Sequence, residues 1–197
     1  EYFLKVRDNY NTICLNGKYD FDKASNFIFL NRTCFNGLYR VNSKGLFNVP
    51  FGKYKNPLIC DVENLQAISK LLQNVEIKYG DYSLCKEYIN EKTFVYFDPP
   101  YRPLLENKSF VNYDKNGFDD ENQKELAEFV KELTKQDVKV MLSNSDPKNT
   151  NPKDNFFDNL YQGFNIERIN AKRMINCQAD KRGSVTEIVV RNYKRSN

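Results

Sequence analysis

The apolar positions of this chain fall into two textures. After about residue 61 they form short β-branched and aromatic runs separated by helix-spaced stretches; before it they are scattered among asparagines, aromatics and basic residues. Phe94-Val95-Tyr96-Phe97 is a continuous apolar run that stops on Asp98-Pro99-Pro100-Tyr101, which predicts a buried strand with polar chemistry at its carboxyl end. Leu126, Phe129, Val130 and Leu133 stand at i, i+3, i+4 and i+7 behind Asp119, a natural helix cap, and the acidic start and basic end of that helix suit its macrodipole. Residues 138–142 predict the next strand, leading into Ser143-Asn144-Ser145-Asp146-Pro147. Residues 155–161 then predict a short helix stopped by Gly163, and 164–169 and 186–192 two last strands. Upstream, Asp61 caps a predicted helix through residue 74 with Leu65, Ile68 and Leu72 on one face, followed by a short strand over 75–79 that ends at Gly80-Asp81-Tyr82. Five strands with helices between them give an α/β fold with a parallel or mixed sheet.

The first 60 residues predict a smaller lobe. Ala24, Phe27, Ile28 and Leu30 mark a helix over 24–34. Residues 38–50 alternate roughly apolar and polar on either side of Ser43-Lys44-Gly45, a three-residue turn with glycine at the left-handed position, so a β-hairpin is expected within about 38–54. The expected organisation is therefore a lobe over 1–60 and an α/β core over 61–197.

Composition narrows the chemistry. The chain of 197 residues contains no histidine, which removes Ser-His and Cys-His nucleophiles, imidazole bases and most transition-metal sites. Cys14, Cys34, Cys60, Cys85 and Cys177 are odd in number and form no Cys-x-x-Cys pair, so neither disulfides nor a metal is expected. No apolar run is long enough to cross a bilayer and the start Glu1-Tyr2-Phe3 has no signal-peptide character, so a cytoplasmic protein is expected. A net charge of +4 and pI of about 8.7 tolerate a polyanionic partner without demanding one. Whatever reaction occurs rests on carboxylates, amides and aromatic rings.

Asp98-Pro99-Pro100-Tyr101 suits an amine. Proline lacks an N–H, so the Asp98 carboxylate and the Pro99 carbonyl are acceptors with no competing backbone donor between them. Together they can take both hydrogens of an NH₂ group while Tyr101 stacks on the attached ring. Read on these four residues alone, Asp-Pro-Pro also serves as a plain strand-ending turn.

This motif after a hydrophobic strand resembles the catalytic signature of amino-group methyltransferases that use S-adenosylmethionine, and Asp in first place resembles the adenine-specific DNA enzymes. The likeness extends further. Phe29-Leu30-Asn31-Arg32, Phe35-Asn36-Gly37-Leu38, Arg40-Val41-Asn42 and Phe47-Asn48-Val49-Pro50-Phe51-Gly52-Lys53-Tyr54 resemble the target-recognition segment of Dam-type adenine methylases that act at GATC. Ser143-Asn144-Ser145 is also in step, so the resemblance covers most of the chain.

The resemblance implies a Rossmann-like methyltransferase sheet, a helical recognition lobe carrying the hairpin, and double-stranded DNA as partner of a monomeric enzyme. Asp98 and the Pro99 carbonyl would hold the exocyclic amine of an extruded adenine, with Pro100 and Tyr101 completing the motif. Asp81 and Tyr82, with Asp98, would lie beside the cofactor; otherwise Gly80-Asp81 is a turn. Arg40, Asn42, Asn48 and Lys53 offer donors and acceptors for base edges, although the family more often has Arg where Lys53 stands. Phe35 is either a wedge for the space left by the base or a core aromatic of the lobe. Arg32, Lys44 and Lys55 are candidates for phosphate contacts. Residues 102–117 form either a lid or a surface loop, and Lys172, Arg173, Lys181 and Arg182 a second basic loop.

One departure is conspicuous. All eight glycines stand alone with no Gly-x-Gly, so the cofactor has no glycine-rich cradle in these residues. In this class the cradle precedes the recognition segment, so the chain is expected to be the carboxyl-terminal two thirds of a methylase lacking the first two strands of the sheet. The expected function is GATC-directed adenine methylation, as a restriction-modification companion or a housekeeping enzyme. The alternatives are an amino-group methyltransferase for RNA or protein and a non-catalytic DNA-binding fragment.

Overall fold

The computed structural model describes residues 1–17, 21–103, 118–172 and 184–194. The chain divides into two compact units, Glu1–Lys78 and Tyr79–Asn197.

The first unit is built on two packed helices, α1 (Tyr2–Leu15) and α2 (Phe21–Thr33). The sequence reading did not anticipate α1, yet Phe3, Val6 and Tyr10 stand at i, i+3 and i+7 and are its buried positions. They meet Leu30, Cys34, Phe47 and Val49 in a small core. The expected hairpin forms only sparsely. Val41 and Phe47 make one isolated antiparallel bridge around a turn in which Gly45 takes φ +75°, the left-handed conformation anticipated for it. Side chains do what a ladder would otherwise do: Asn11 on α1 donates its Nδ2 to the Phe47 carbonyl at 3.1 Å and accepts the Phe47 N–H at 2.8 Å. A second bridge joins Cys34 to Phe51, and the Gly52 N–H donates to the Thr33 carbonyl at 2.8 Å.

Helix α3 (Val62–Leu72) is capped by Asp61, which accepts the Asn64 N–H at 3.2 Å. It belongs to the first unit, whereas the sequence suggested a boundary at 60. None of its residues is buried, so the expected apolar face of Leu65, Ile68 and Leu72 remains open. The strand expected over 75–79 is not formed. A strand needs a paired neighbour, and this segment has none among the described residues: Ile77 is 73% and Tyr79 98% exposed.

Among its described residues the second unit carries a four-stranded sheet, where the sequence suggested five strands, in the order β1 (Phe94–Phe97), β2 (Lys139–Ser145), β4 (Ser184–Arg191), β3 (Asn165–Lys172). β1 and β2 are parallel, joined through α4 (Asp120–Lys135); β4 lies antiparallel to both β2 and β3. Asp119 starts α4 with a full capping box, accepting the Glu121 and Asn122 N–H groups while the Asn122 side chain returns to the Asp119 N–H. Leu126, Phe129, Val130 and Leu133, the positions picked out by their spacing, pack with Val140, Leu142, Ile188, Val190 and, from α5 (Phe156–Leu160), Phe157.

Alternation decides the two faces of the sheet. Val140, Leu142, Ile188 and Val190 point into the helix-covered core, which leaves Tyr96, Met141, Ser143, Glu187, Val189 and Arg191 on the other face. β1 is consequently buried on one side only: Phe97 is buried, but Phe94 and Tyr96 are half exposed, where the sequence suggested a buried strand.

Gly52 gives a test of the first unit. A Cβ there would lie 2.7 Å from the Cys34 carbonyl oxygen, so Gly52→Ala must push apart the bridge that closes the unit. Gly52→Ala is expected to destabilise it by about 1–3 kcal/mol in urea titration. An unchanged midpoint would mean that the Cys34–Phe51 approach is not a constraint.

Candidate active site and nucleic-acid surface

The register that pairs Phe97 with Leu142 brings Asp98, the next residue, beside Ser143. Ser143 Oγ donates to Asp98 Oδ1 at 2.9 Å and lies 2.8 Å from the Tyr96 hydroxyl. Tyr101 donates its hydroxyl to Glu187 Oε2 at 3.3 Å, and Glu187 stands opposite Ser145 on β4. Asp98, Tyr101, Ser143 and Glu187 thus converge on the uncovered face at the carboxyl ends of β1 and β2, where α/β sheets hold ligands. Burial raises the Tyr101 hydroxyl above its ordinary pKa. The Glu187 and Asp98 carboxylates add to that rise against the nearby Ser143 hydroxyl, so Tyr101 is a neutral donor at pH 7.

The Asp-Pro-Pro-Tyr turn is held from outside itself. Asn144, fully buried, accepts the Arg102 N–H on its Oδ1 at 2.9 Å and donates Nδ2 to Gln123 Oε1 at 3.2 Å. Gln123, equally buried on α4, donates to the Pro100 carbonyl at 3.1 Å, and Ser145 Oγ donates to the Arg102 carbonyl at 2.6 Å. The Arg102 guanidinium binds Asp120 through two hydrogen bonds of 2.7 and 3.0 Å and Asp154 through one of 2.9 Å, and its carbon lies 4.3 Å from the Phe156 ring centroid. Gln123 engages the Pro100 carbonyl and Ser143 engages Asp98 Oδ1, whereas Asp98 Oδ2 and the Pro99 carbonyl accept no hydrogen bond from the described residues.

Of the other positions singled out in the second unit, Asp81 caps the short 3-10 helix Tyr82–Tyr88, accepting the Ser83 N–H at 2.9 Å with its carboxylate exposed. The Ser83 hydroxyl, and after it that backbone hydrogen bond, holds the Asp81 carboxyl below the usual range. The Tyr82 ring packs against Phe97, Phe118 and Phe129, and burial raises its hydroxyl pKa. Residues 104–117 of the suggested lid, and Arg173, Lys181 and Arg182 of the second basic loop, lie outside the described residues.

In the first unit the candidate DNA-contacting residues separate by what their polar atoms already do. Asn42 Oδ1 accepts the Lys44 and Leu46 N–H groups, so Asn42 builds the turn. Asn48 accepts Arg40 Nε on its Oδ1 at 2.8 Å and Arg40 Nη2 on its carbonyl at 3.2 Å, which aims the guanidinium. Arg32, Lys44, Lys53 and Lys55 are exposed. Phe35 is not in the core: it is 51% exposed, on a tight turn in which Asn36 takes φ +53° and gives its N–H to the Tyr54 hydroxyl at 2.9 Å. The Phe35 N–H is tied to the Pro50 carbonyl at 2.8 Å.

Sequence reading did not single out Arg102, Gln123, Glu187, Asn11 or Tyr54, and it assigned no role to Ser143 or Asn144. Glu187 carried a legible signal, a carboxylate inside an otherwise β-branched strand. Gln123, Asn11 and Tyr54 carried none, since polar residues in helices and loops are ordinary.

The chain matches the family described as D12 class N6 adenine-specific DNA methyltransferase over residues 1–175. It is 50% identical over 197 residues to the Type II methyltransferase M.MjaIII of Methanocaldococcus jannaschii, covering 98% of this chain and 65% of that protein. It is 41% identical over 195 residues to the Type II methyltransferase M1.LlaDCHI of Lactococcus lactis subsp. cremoris, covering 98% of this chain and 66% of the relative. The DNA adenine methylase of Escherichia coli K12 is 31% identical over 189 residues, which is 96% of this chain and 64% of that enzyme. The chain thus spans about two thirds of the length of these relatives.

The Arg102 clamp predicts a pH signature. Burial raises the Asp154 pKa, but the Phe156 N–H and Arg102 outweigh it, so the net value lies below the ordinary 3.8. A carboxylate depressed on folding adds stability that is complete above the unfolded pKa and is lost as pH falls through the folded one. Arg102→Met is expected to cost about 2 kcal/mol at pH 7 and to flatten the loss of stability below about pH 4, as read from urea midpoints against pH. Parallel curves for both proteins would rule out the clamp as the origin of that acid sensitivity.

Proposed function

Because this chain belongs to the D12 class N6 adenine-specific DNA methyltransferase family, we propose that it contributes the base-binding site and DNA-reading surface of an enzyme that methylates the exocyclic nitrogen of adenine in duplex DNA. The observation that carries the reading is the pair of acceptors at the strand end left without a partner among the described residues, Asp98 Oδ2 and the Pro99 carbonyl, beside the half-exposed Tyr101 ring. The adenine nitrogen is a poor nucleophile because its lone pair is delocalised into the ring. Acceptors on both hydrogens oppose that delocalisation and turn the lone pair toward a methyl donor. A bound donor would supply the methyl group, with its sulfur keeping the electron pair of the broken S–C bond, and the alkylated nitrogen would pass its one surplus proton to water. Tyr101 stacks on the base, which must leave the duplex to reach this site.

S-adenosylmethionine supplies the sulfonium methyl when bound. The residues present fit part of it: the exposed Asp81 carboxylate and the Tyr82 turn would hold its adenosine end, and Asp98 would lie toward its methyl end. No Gly-x-Gly turn occurs in these 197 residues to cradle its carboxylate. A second reading follows from that composition. Supplied alone, these residues are expected to bind DNA without binding the donor measurably or methylating, and calorimetry with S-adenosylmethionine tests it.

GATC as the target rests on the likeness of residues 29–54 to Dam-type recognition segments, and a restriction-modification setting on two relatives named Type II methyltransferases. Arg40, held by Asn48, reads guanine, which a bidentate guanidinium fits best; Phe35 fills the space left by the base, and Arg32, Lys44, Lys53 and Lys55 meet backbone or base edges. Methyl transfer from labelled S-adenosylmethionine, measured with the protein expressed from its gene, is expected on duplexes containing GATC and not on duplexes lacking it or on RNA. Asp98→Ala should abolish it. Arg40→Ala should cost about 1–3 kcal/mol of discrimination at one base pair. Equal labelling of RNA would overturn the reading.

A further inference from the structure

We propose that Ser143 and Tyr96 form a one-directional hydrogen-bond chain that fixes the Asp98 carboxylate for the amine, so that both are positioning residues for methyl transfer. The inference rests on the function proposed above and concerns residues to which that reading gives no task.

Hydrogen counting sets the direction of the chain. A serine hydroxyl has one hydrogen, and a carboxylate can only accept, so the 2.9 Å contact from Ser143 Oγ to Asp98 Oδ1 uses that hydrogen. The 2.8 Å contact between Tyr96 and Ser143 must then be donated by the tyrosine. Tyr101, whose hydroxyl also lies near Ser143, gives its own hydrogen to Glu187, and as an acceptor it is weaker than a charged carboxylate. The resulting sequence is Tyr96 O–H to Ser143 Oγ, then Ser143 O–H to Asp98 Oδ1.

Strand geometry makes the chain rigid. Tyr96 and Asp98 are two apart on the β1 side, Ser143 lies on the neighbouring strand, and the parallel register puts all three on the uncovered face. Ser143 is only 7% exposed and sits in the interior of β2, paired with Val189 on its β4 side, whereas Asp98 lies one residue beyond its strand, where the ladder no longer restrains it. The carboxylate therefore depends on a side chain for its torsion. Spending Oδ1 on Ser143 leaves Oδ2 as the one oxygen directed at a substrate N–H, and Tyr96 polarises the serine hydroxyl so that this donation is strengthened.

The test is a kinetic cycle on the protein expressed from its gene, with a GATC duplex as substrate. Ser143→Ala is expected to lower kcat about tenfold and Tyr96→Phe about threefold, with KM for DNA changed less than twofold in each. Ser143→Thr, which keeps the hydroxyl, should recover most of kcat. Because Tyr96 acts through Ser143, adding Tyr96→Phe to Ser143→Ala should lower kcat no further. Full additivity, a loss confined to KM, or normal kcat in both single variants while Asp98→Ala is inactive would overturn the chain and leave the proposed function standing. Retained activity in Asp98→Ala would overturn the function and this inference with it. If Ser143→Ala fails to fold, Tyr96→Phe decides alone, since its ring is half exposed and losing the hydroxyl leaves the strand intact.

Discussion

The site depends on a shortage of backbone donors. Asp98-Pro99-Pro100-Tyr101 leaves the sheet through two residues without an N–H, so no ladder can continue through the turn and its shape must come from elsewhere. Asn144 and Gln123 supply that shape from the buried side. The Asn144 amide oxygen receives the Arg102 backbone N–H, and the Gln123 amide donates to the Pro100 carbonyl. Two uncharged amides, fully buried and bonded to each other, make such an arrangement intolerant of loosening, because any displaced group would be stranded away from water. The Arg102 side chain then pins the exit of the turn between Asp120 at the start of α4 and Asp154 ahead of α5.

The same turn sorts acceptors into used and unused. Strand alternation assigns packing to one face of the sheet and chemistry to the other, and the loop at its edge draws on both. From the core face comes Asn144, which holds the backbone; from the uncovered face comes Ser143, which holds the carboxylate. Adjacent residues of β2 thus serve opposite sides of one motif. That is why Ser143-Asn144-Ser145 stands as a polar triplet at the end of an apolar strand, and why β2 runs as far as Ser145 although its apolar run ends at Leu142.

Much of this was legible in the sequence, for physical reasons that also explain what was not. The spacing of Leu126, Phe129, Val130 and Leu133 is dictated by one partner, the sheet, and the structure buries all four. The segment 75–79 had strand composition but no neighbouring strand among the described residues, and composition cannot report which strands lie beside it. Helix α1 was obscured by its polar surface, although its apolar spacing was regular. Asp98 was singled out because the chemistry proposed for it is local to a four-residue motif. Gln123 and Glu187, separated from it by 25 and 89 positions, are brought in by the register of strands and the placement of α4, which no local pattern encodes.

Asn42 and Asn48 make the point more sharply for the reading surface. Both have side chains suited to a base edge, and both spend their oxygens on the protein: one closes the turn, the other grips Arg40. With a single backbone bridge between its arms, the hairpin has little ladder to define it. The side chains of Asn11, Asn42 and Asn48 replace that ladder, so an arginine on a nearly unpaired loop is still held in one orientation. Asp98 and Arg40 therefore follow one rule in two separate units. Each is an exposed charged group with some of its polar atoms bound by a neighbouring polar side chain, and the binding leaves the remaining atoms oriented outward. An arginine free on a loop surrenders its rotamer entropy when it meets a ligand, whereas one already gripped by Asn48 has surrendered most of it on folding, so under the proposed role it would meet a base edge at a smaller entropic cost.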